Sequence, residues 1–295
     1  MKQLLQGHPP TSLAIGACWM IGYALAMGAI TGLEKFSQEQ ASSFMILFFL
    51  HAVSLIVITP FFLRHGLANF KTTHPGYHLL RAIAGIVTYL FFFESIDLVP
   101  LTDAVLMHFT APLFVPLLLH FWGKIKIPKT LWLAIVIGFI GIAIELHPNR
   151  QVFTPGILFA LGSGVCLAVV YLAVRELSRT EPPMRILFYY FSIASLIALP
   201  FAVATWRSID WEIWLALIGI GLLMAVGNLF LIYALRRGPA VILSPITYFA
   251  IIFSGLIDWL FWGTVPGWIW GVGALFVVAG SAWTLVIGHH QGHLK

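Results

Sequence analysis

Between residues 239 and 262, a run of Ile, Leu, Phe and Trp carries Ser244, Thr247, Tyr248, Ile251, Gly255 and Asp258. At α-helical spacing these six share one face. In a membrane, such a face turns toward other helices or a watery cavity, away from lipid. The chemistry it offers is hydrogen bonding to a polar ligand. Other residues of this kind are few. Trp19 and Tyr23 offer aromatic surface early in the chain. Tyr89 and Phe92 continue a face that begins at Arg81, Gly85 and Thr88. His108 shares a face with Pro112 and Val115, and Asn228 shares one with Gly221, Met224 and Leu235. A histidine there can titrate near neutral pH. An Asn amide in hydrocarbon needs a partner on another helix or on a ligand. Glu94, one turn deeper than the solvated Asp97, can attract a cation or carry a proton.

Each of these residues taken singly reads as readily as an interhelical packing contact. Arg81, about one turn inside its segment, reads as snorkelling to lipid phosphates. His51 and His120 read as packing residues. Cys18 and Cys166 lie in apolar segments without metal-ligand or disulfide spacing. The histidines at 289, 290 and 293 read as a solvated tail. No Walker loop, H-E-x-x-H or G-x-S-x-G signature is present, and Gly162-Ser163-Gly164 reads as close helix packing. Neither a catalytic residue, a metal site nor a cofactor is therefore expected.

The elements that position these side chains follow from apolar runs and punctuation. Ten spans lie near 12–31, 42–63, 76–96, 100–122, 128–147, 154–175, 183–205, 211–235, 239–262 and 266–288, each near the ~20 residues that cross a hydrocarbon core. Pro100, Pro128, Pro155, Pro183, Pro239 and Pro266 stand at or near span starts, where a missing N–H costs least. Pro112 and Pro116 interrupt the fourth span, and such breaks free carbonyls that line cavities. Composition agrees, with 60% hydrophobic and 9% charged residues against about 25% charged in soluble domains. The class is a polytopic all-α membrane protein.

The net charge of +5 is scattered in ones to threes, so no nucleic-acid surface is expected. Topology explains it better. With both termini cytoplasmic, only Lys35, Arg150 and Arg207 of the 16 basic residues fall outside, as the positive-inside rule requires. The first apolar segment lacks a small-x-small pattern after it, so no cleaved leader is expected.

Two halves share anchors. Tyr89-Leu90-Phe91 aligns with Asn228-Leu229-Phe230, Pro100 with Pro239, and Gly141 with Gly280, each at an offset of 139. Gly16, Cys18 and Tyr23 recur as Gly164, Cys166 and Tyr171. Five spans per half would make this an inverted repeat, 1–150 and 151–295, an arrangement suited to carriers.

Several stretches carry a resemblance: Arg81-Ala-Ile-Ala-Gly85, Leu98-Val-Pro-Leu-Thr-Asp-Ala104, Phe109-Thr-Ala-Pro112, Tyr233-Ala-Leu-Arg-Arg-Gly-Pro239, and Ser244-Pro-Ile-Thr-Tyr248 with Trp262-Gly263 beyond it. In this order they resemble the EamA-type carriers of the drug/metabolite transporter superfamily, over nearly the whole chain. The resemblance implies ten helices in a 5+5 inverted repeat, cytoplasmic termini, and a cavity surrounded by spans one, three, four, six, eight and nine. It also implies secondary transport of amino acids or other small metabolites. Similar proteins often carry Glu after the Gly ending spans four and nine; here Lys124 and Thr264 stand there.

The expectation is a carrier of a small metabolite in a bacterial inner membrane, working by alternating access within the lipid bilayer. Trp19, Tyr89, Phe92, His108, Asn228 and Tyr248 are the expected cavity lining. Glu94 or His108 is the expected proton site if transport is coupled. The alternatives are an uncoupled exchanger or facilitator of a nucleoside-linked metabolite or drug-like cation, an accessory protein without transport, and a membrane enzyme. A homodimer is compatible with the sequence.

Overall fold

The computed structural model describes residues 10–64, 70–96, 98–99, 101–123, 128–145, 154–263 and 267–292. These are helical throughout apart from short turns, with no strand among the described residues. Hydrocarbon offers the backbone no hydrogen bonds, so a chain this apolar must satisfy its N–H and C=O groups within helices.

In chain order the helices are α1 (Pro10–Ser37), α2 (Ser43–Leu63), α3 (Pro75–Ile96), α4 (Leu101–His108), α5 (Ala111–Gly123), α6 (Lys129–Glu145), α7 (Pro155–Thr180), α8 (Pro183–Ala204), α9 (Trp211–Arg237), α10 (Ala240–Leu243), α11 (Phe249–Trp262) and α12 (Trp268–Gly292). Caps fix several starts. The Ser42 hydroxyl accepts from the Met45 N–H, and Thr154 accepts from the Ile157 N–H with Pro155 at the first helical position. Among the described residues, seven segments are long and apolar enough to cross a membrane: Ser12–Ser37, Ser43–Leu63, Pro75–Ile96, Pro155–Thr180, Pro183–Ala204, Trp211–Arg237 and Ala240–Trp262.

The segment expected as one span over 100–122 is two helices. Pro112 cannot donate to the helical ladder, and the chain turns at Phe109–Thr110 between α4 and α5. At this turn the Met107 carbonyl accepts from both the Thr110 hydroxyl at 2.6 Å and the Thr110 N–H at 3.2 Å. This broken turn lies directly on α7. A Cβ at Gly164 would stand 2.7 Å from the Thr110 hydroxyl and 2.8 Å from the Met107 carbonyl oxygen, so only glycine allows the approach.

The segment Ala240–Trp262 is also interrupted. Residues Ser244–Tyr248 form a 3-10 turn between α10 and α11. Each residue there advances about 120° rather than 100°, so five residues rotate the following helix by about 100°. The face drawn from Ser244 to Asp258 at regular α spacing is therefore not a single line. Ser244, Thr247 and Tyr248 are all fully buried.

The most extensive packing pairs α1 with α9, α3 with α7, α2 with α8, and α6 with α12. Each pair joins an element before residue 150 to one after it. Smaller pairs set α1 on α11, α7 on α4 and α5, α2 on α9, and α3 on α8. The middle of the bundle is therefore shared by α1, α3, α7, α8 and α9.

Candidate binding cavity

In that middle, Arg81 is buried, with 1% of its surface exposed. Its Nη2 donates to the Asn228 Oδ1 at 2.6 Å, from α3 to α9. Its guanidinium lies 3.7 Å from the centre of the Tyr190 ring on α8. The close stack depends on Gly85, one turn on from Arg81, because a Cβ there would stand 2.7 Å from a Tyr190 ring carbon.

Tyr190 is held in turn. His51 Nδ1 is 2.7 Å from the Leu47 carbonyl and so carries the proton, leaving Nε2 to accept the Tyr190 hydroxyl at 3.0 Å. Asn228 is fixed by donating its amide to the Met224 carbonyl and sulfur, each at 3.1 Å. The Tyr89 hydroxyl reaches the same sulfur at 3.6 Å. A network of this kind orients the guanidinium without neutralising it.

Arg81, Gly85, Tyr89, Tyr190, Met224 and Asn228 line a cavity of about 30 Å³ together with neighbours that include Tyr23, Met27, Thr88, His108 and Phe109. No Asp or Glu is among the described lining residues. A second cavity of about 30 Å³ adjoins it, sharing Met27, Tyr89, His108 and Phe109 and adding Ile30, Thr31, Glu34, Phe92 and Val105. Each has room for a water or two, whereas small-molecule pockets run to ~300–1,000 Å³. A larger vestibule of about 390 Å³ follows, with Gln38, Ser42, Leu90, Phe93, Glu94 and Arg207. Tyr23, Met27, Thr31, Glu34 and Gln38 lie three or four residues apart, so one face of α1 runs past all three spaces.

Of the residues expected to form the site, Tyr89, His108 and Asn228 line the central cavity, and Phe92 lines the adjoining one with its ring 5.0 Å from that of His108. His108 Nδ1 lies 3.0 Å from the Ser163 hydroxyl, which donates to the Ala160 carbonyl. Trp19 instead packs on Phe230 and Tyr233 at 5.2 and 5.3 Å and lines neither cavity. Tyr248 is buried in the 3-10 turn, also away from both. Glu94 is exposed and belongs to the vestibule. The side chains of Asp103 and Asp258 lie outside the described residues.

The expectation that Arg81 snorkels to lipid phosphates does not hold, since Gly85 and Tyr190 draw it inward. Sequence reasoning also passed over Glu34, which is 5% exposed and whose Oε1 has no hydrogen-bond partner. The signal was present in the α1 spacing. Tyr190 gave no local signal, and its role appears only when α8 packs on α2 and α3. The lining also differs from that implied by the resemblance. The seventh span contributes through Tyr190, and no described residue of Ala240–Trp262 lines either cavity.

At one end of the bundle the helices are tied together. The Thr72 hydroxyl donates to Glu181 Oε1 at 2.6 Å, and Arg185 pairs with the other carboxylate oxygen. Arg236 Nε donates to the Ser178 carbonyl at 2.8 Å, and Arg175 donates to the Leu235 carbonyl. Burial raises the Glu181 carboxyl, but Thr72 and Arg185 together hold it below the ordinary carboxylate range.

The EamA-like transporter family matches residues 14–146 and again 154–286. The chain belongs to that family. Among its relatives, a riboflavin transporter of Vibrio cholerae is 26% identical over 273 residues, covering 90% of this chain and 91% of that protein. An S-adenosylmethionine uptake transporter of Rickettsia felis is 25% identical, covering 85% of each. A pseudopaline exporter of Pseudomonas aeruginosa is 28% identical, covering 79% of this chain and 82% of that one. One solved crystal structure superposes with a TM-score of 0.76 at 18% identity, over 96% of this chain and 99% of that one, and so shares the fold. The family and these relatives are transporters of small metabolites rather than enzymes. This EamA-like chain is thus a multi-pass membrane transporter.

Proposed function

We propose that this EamA-like protein carries a small polar metabolite across a bacterial inner membrane by alternating access. The observation that carries the reading is the Arg81–Asn228 contact, a polar pair in the bundle centre drawn from both halves of the chain. Two five-helix inverted repeats, 1–150 and 151–295, with ten spans and cytoplasmic termini, complete the reading. The packing supports them. If α1 corresponds to α7, α2 to α8 and α3 to α9, then exchanging halves turns the α1–α9 pair into α7–α3 and the α2–α9 pair into α8–α3. Such symmetry lets the halves swap conformations and so swap the open side.

In this orientation the vestibule faces outward and the Glu181 cluster seals the cytoplasmic side. The cavities are too small for a metabolite, so this conformation is closed and helices must part for loading. Tyr89, Phe92, His108 and Asn228 contact the substrate, with Tyr23, Arg81 and Tyr190. Trp19 and Tyr248 act from behind, through neighbouring helices. Direction is left open by relatives named both for uptake and for export.

Counterflow in proteoliposomes preloaded with amino acids, nucleosides and cofactors, with and without a pH gradient, tests the reading. Accumulation of one labelled compound, dependent on its preloaded counterpart, is expected. Absence of flux for every compound by correctly inserted protein would return weight to an accessory role. The uncoupled-exchanger reading is favoured by the lack of carboxylates among the described residues of the central cavity, and counterflow unaffected by the gradient would select it.

A further inference from the structure

We infer that Arg81 is the receptor for an anionic group on the transported molecule, a carboxylate or a phosphate, so that the substrate class is organic anions or zwitterions. The inference rests on the carrier reading above and adds the chemistry of its ligand.

Arg81 is as buried as any apolar core residue, yet its Nε and Nη1 have no hydrogen-bond partner. Asn228 accepts through a neutral amide oxygen and Tyr190 lies against the guanidinium as a neutral phenol, so neither supplies a negative charge. The cavity beside it contains tyrosines, a threonine, a histidine and an amide, but no acid among the described residues. A guanidinium stays charged at any physiological pH. Buried without an anion it is costly, and buried ionic groups are otherwise found paired. The missing partner is therefore brought by the ligand. Arg is suited to the task because its planar donors match carboxylate and phosphate oxygens. Bare donors held at a fixed angle by Tyr190, Gly85 and Asn228 make a preorganised receptor.

The arrangement also argues against a drug-like cation. A cation would enter a cavity where Arg81 carries a positive charge and no described lining residue is a carboxylate to offset it.

Binding is tested with purified full-length protein in detergent, by thermal unfolding against matched pairs. L-tryptophan is compared with L-tryptophanamide, and adenosine 5′-monophosphate with adenosine; inorganic phosphate is tested alone. An acid is expected to raise the wild-type melting temperature where its neutral twin does not. The tryptophan and nucleotide arms tell carboxylate from phosphate recognition, and a response to phosphate alone assigns the site to the free ion. R81Q is expected to weaken the acid's binding about 10- to 100-fold, the range of a charged hydrogen bond, and R81K to retain part of it. The wild-type comparison stands even if R81Q fails to fold. Neutral twins that stabilise as well as the acids, or no acid that stabilises at all, overturn the inference. Counterflow of the same pairs separates the two readings. Binding of the acid without flux removes carriage but keeps the anion site. Flux of the neutral twin alone keeps carriage and removes the anion site.

Discussion

Arg81 and Asn228 stand 147 residues apart in sequence and 2.6 Å apart in space. The pair joins α3 to α9 across the bundle centre, and both residues line one cavity. Converting Asn228 to Asp gives Arg81 an internal carboxylate in place of the ligand's. N228D is expected to raise the melting temperature of the empty protein, because the buried guanidinium gains a counter-ion. It should at the same time abolish stabilisation by any acid that binds wild type. N228A removes the partner outright and is expected to destabilise by about 1–3 kcal/mol. Thermal unfolding of both variants, with and without the acid, checks the pair of opposite effects.

The stack of Arg81 on Tyr190 depends on Gly85. G85A places a methyl 2.7 Å from the Tyr190 ring, closer than any side-chain carbon tolerates. The ring must move, and Arg81 loses its support. Overpacking of this kind costs about 1–3 kcal/mol. A smaller residue at 190 should relieve the clash. The double variant G85A/Y190L is therefore expected to lose less stability than the two single losses added together, and additive losses would show that the ring was not the obstacle.

Much of this was legible in the residues themselves. The spans followed from apolar length and proline punctuation, because each element must satisfy its own backbone in lipid. Tyr89, His108 and Asn228 stood out as polar groups in apolar segments, and they meet at the cavity. Three features were not legible. Arg81 near a span end looks lipid-facing until Tyr190, 109 residues later, is known to cover it. Glu34 lies beyond the span expected over 12–31, whereas α1 runs on to Ser37. Tyr248 was placed by counting α-helical turns through a stretch that is 3-10. The first error is one of long-range packing, the others of local geometry.

The Glu181 cluster predicts a pH dependence at the sealed end. Its carboxyl titrates lower in the folded protein than in the unfolded chain, through Thr72 and Arg185. A depressed folded value contributes stability that is present above the unfolded value of about 4.3 and is lost as pH falls through the folded value. E181Q should therefore melt earlier than wild type at pH 7, with the gap closing as pH falls below about 4. A gap that stays constant between pH 7 and pH 3.5 would assign the effect to packing rather than to charge.

Proton coupling, if this carrier uses it, is expected at Glu34 in preference to Glu94. Glu94 is exposed in the vestibule, open to solvent. Glu34 is buried, in the small cavity that adjoins the central one. Among the described residues, the titratable groups facing that space are Tyr89 from α3 and His108 from α4, and no Lys or Arg lines it. The Lys35 ammonium beside it in sequence sits over the Trp262 ring instead. A carboxyl so placed changes its exposure when the helices part, which is the condition for coupling proton movement to the conformational cycle. E34Q is expected to remove stimulation of uptake by an imposed pH gradient while leaving counterflow at equal pH. E94Q should leave both intact. H108Q distinguishes the two groups in the passage, because a relay through His108 would lose gradient stimulation with it. The measurement is labelled-substrate uptake in proteoliposomes with and without the gradient. Stimulation that survives E34Q and disappears with E94Q would move the coupling site to the vestibule.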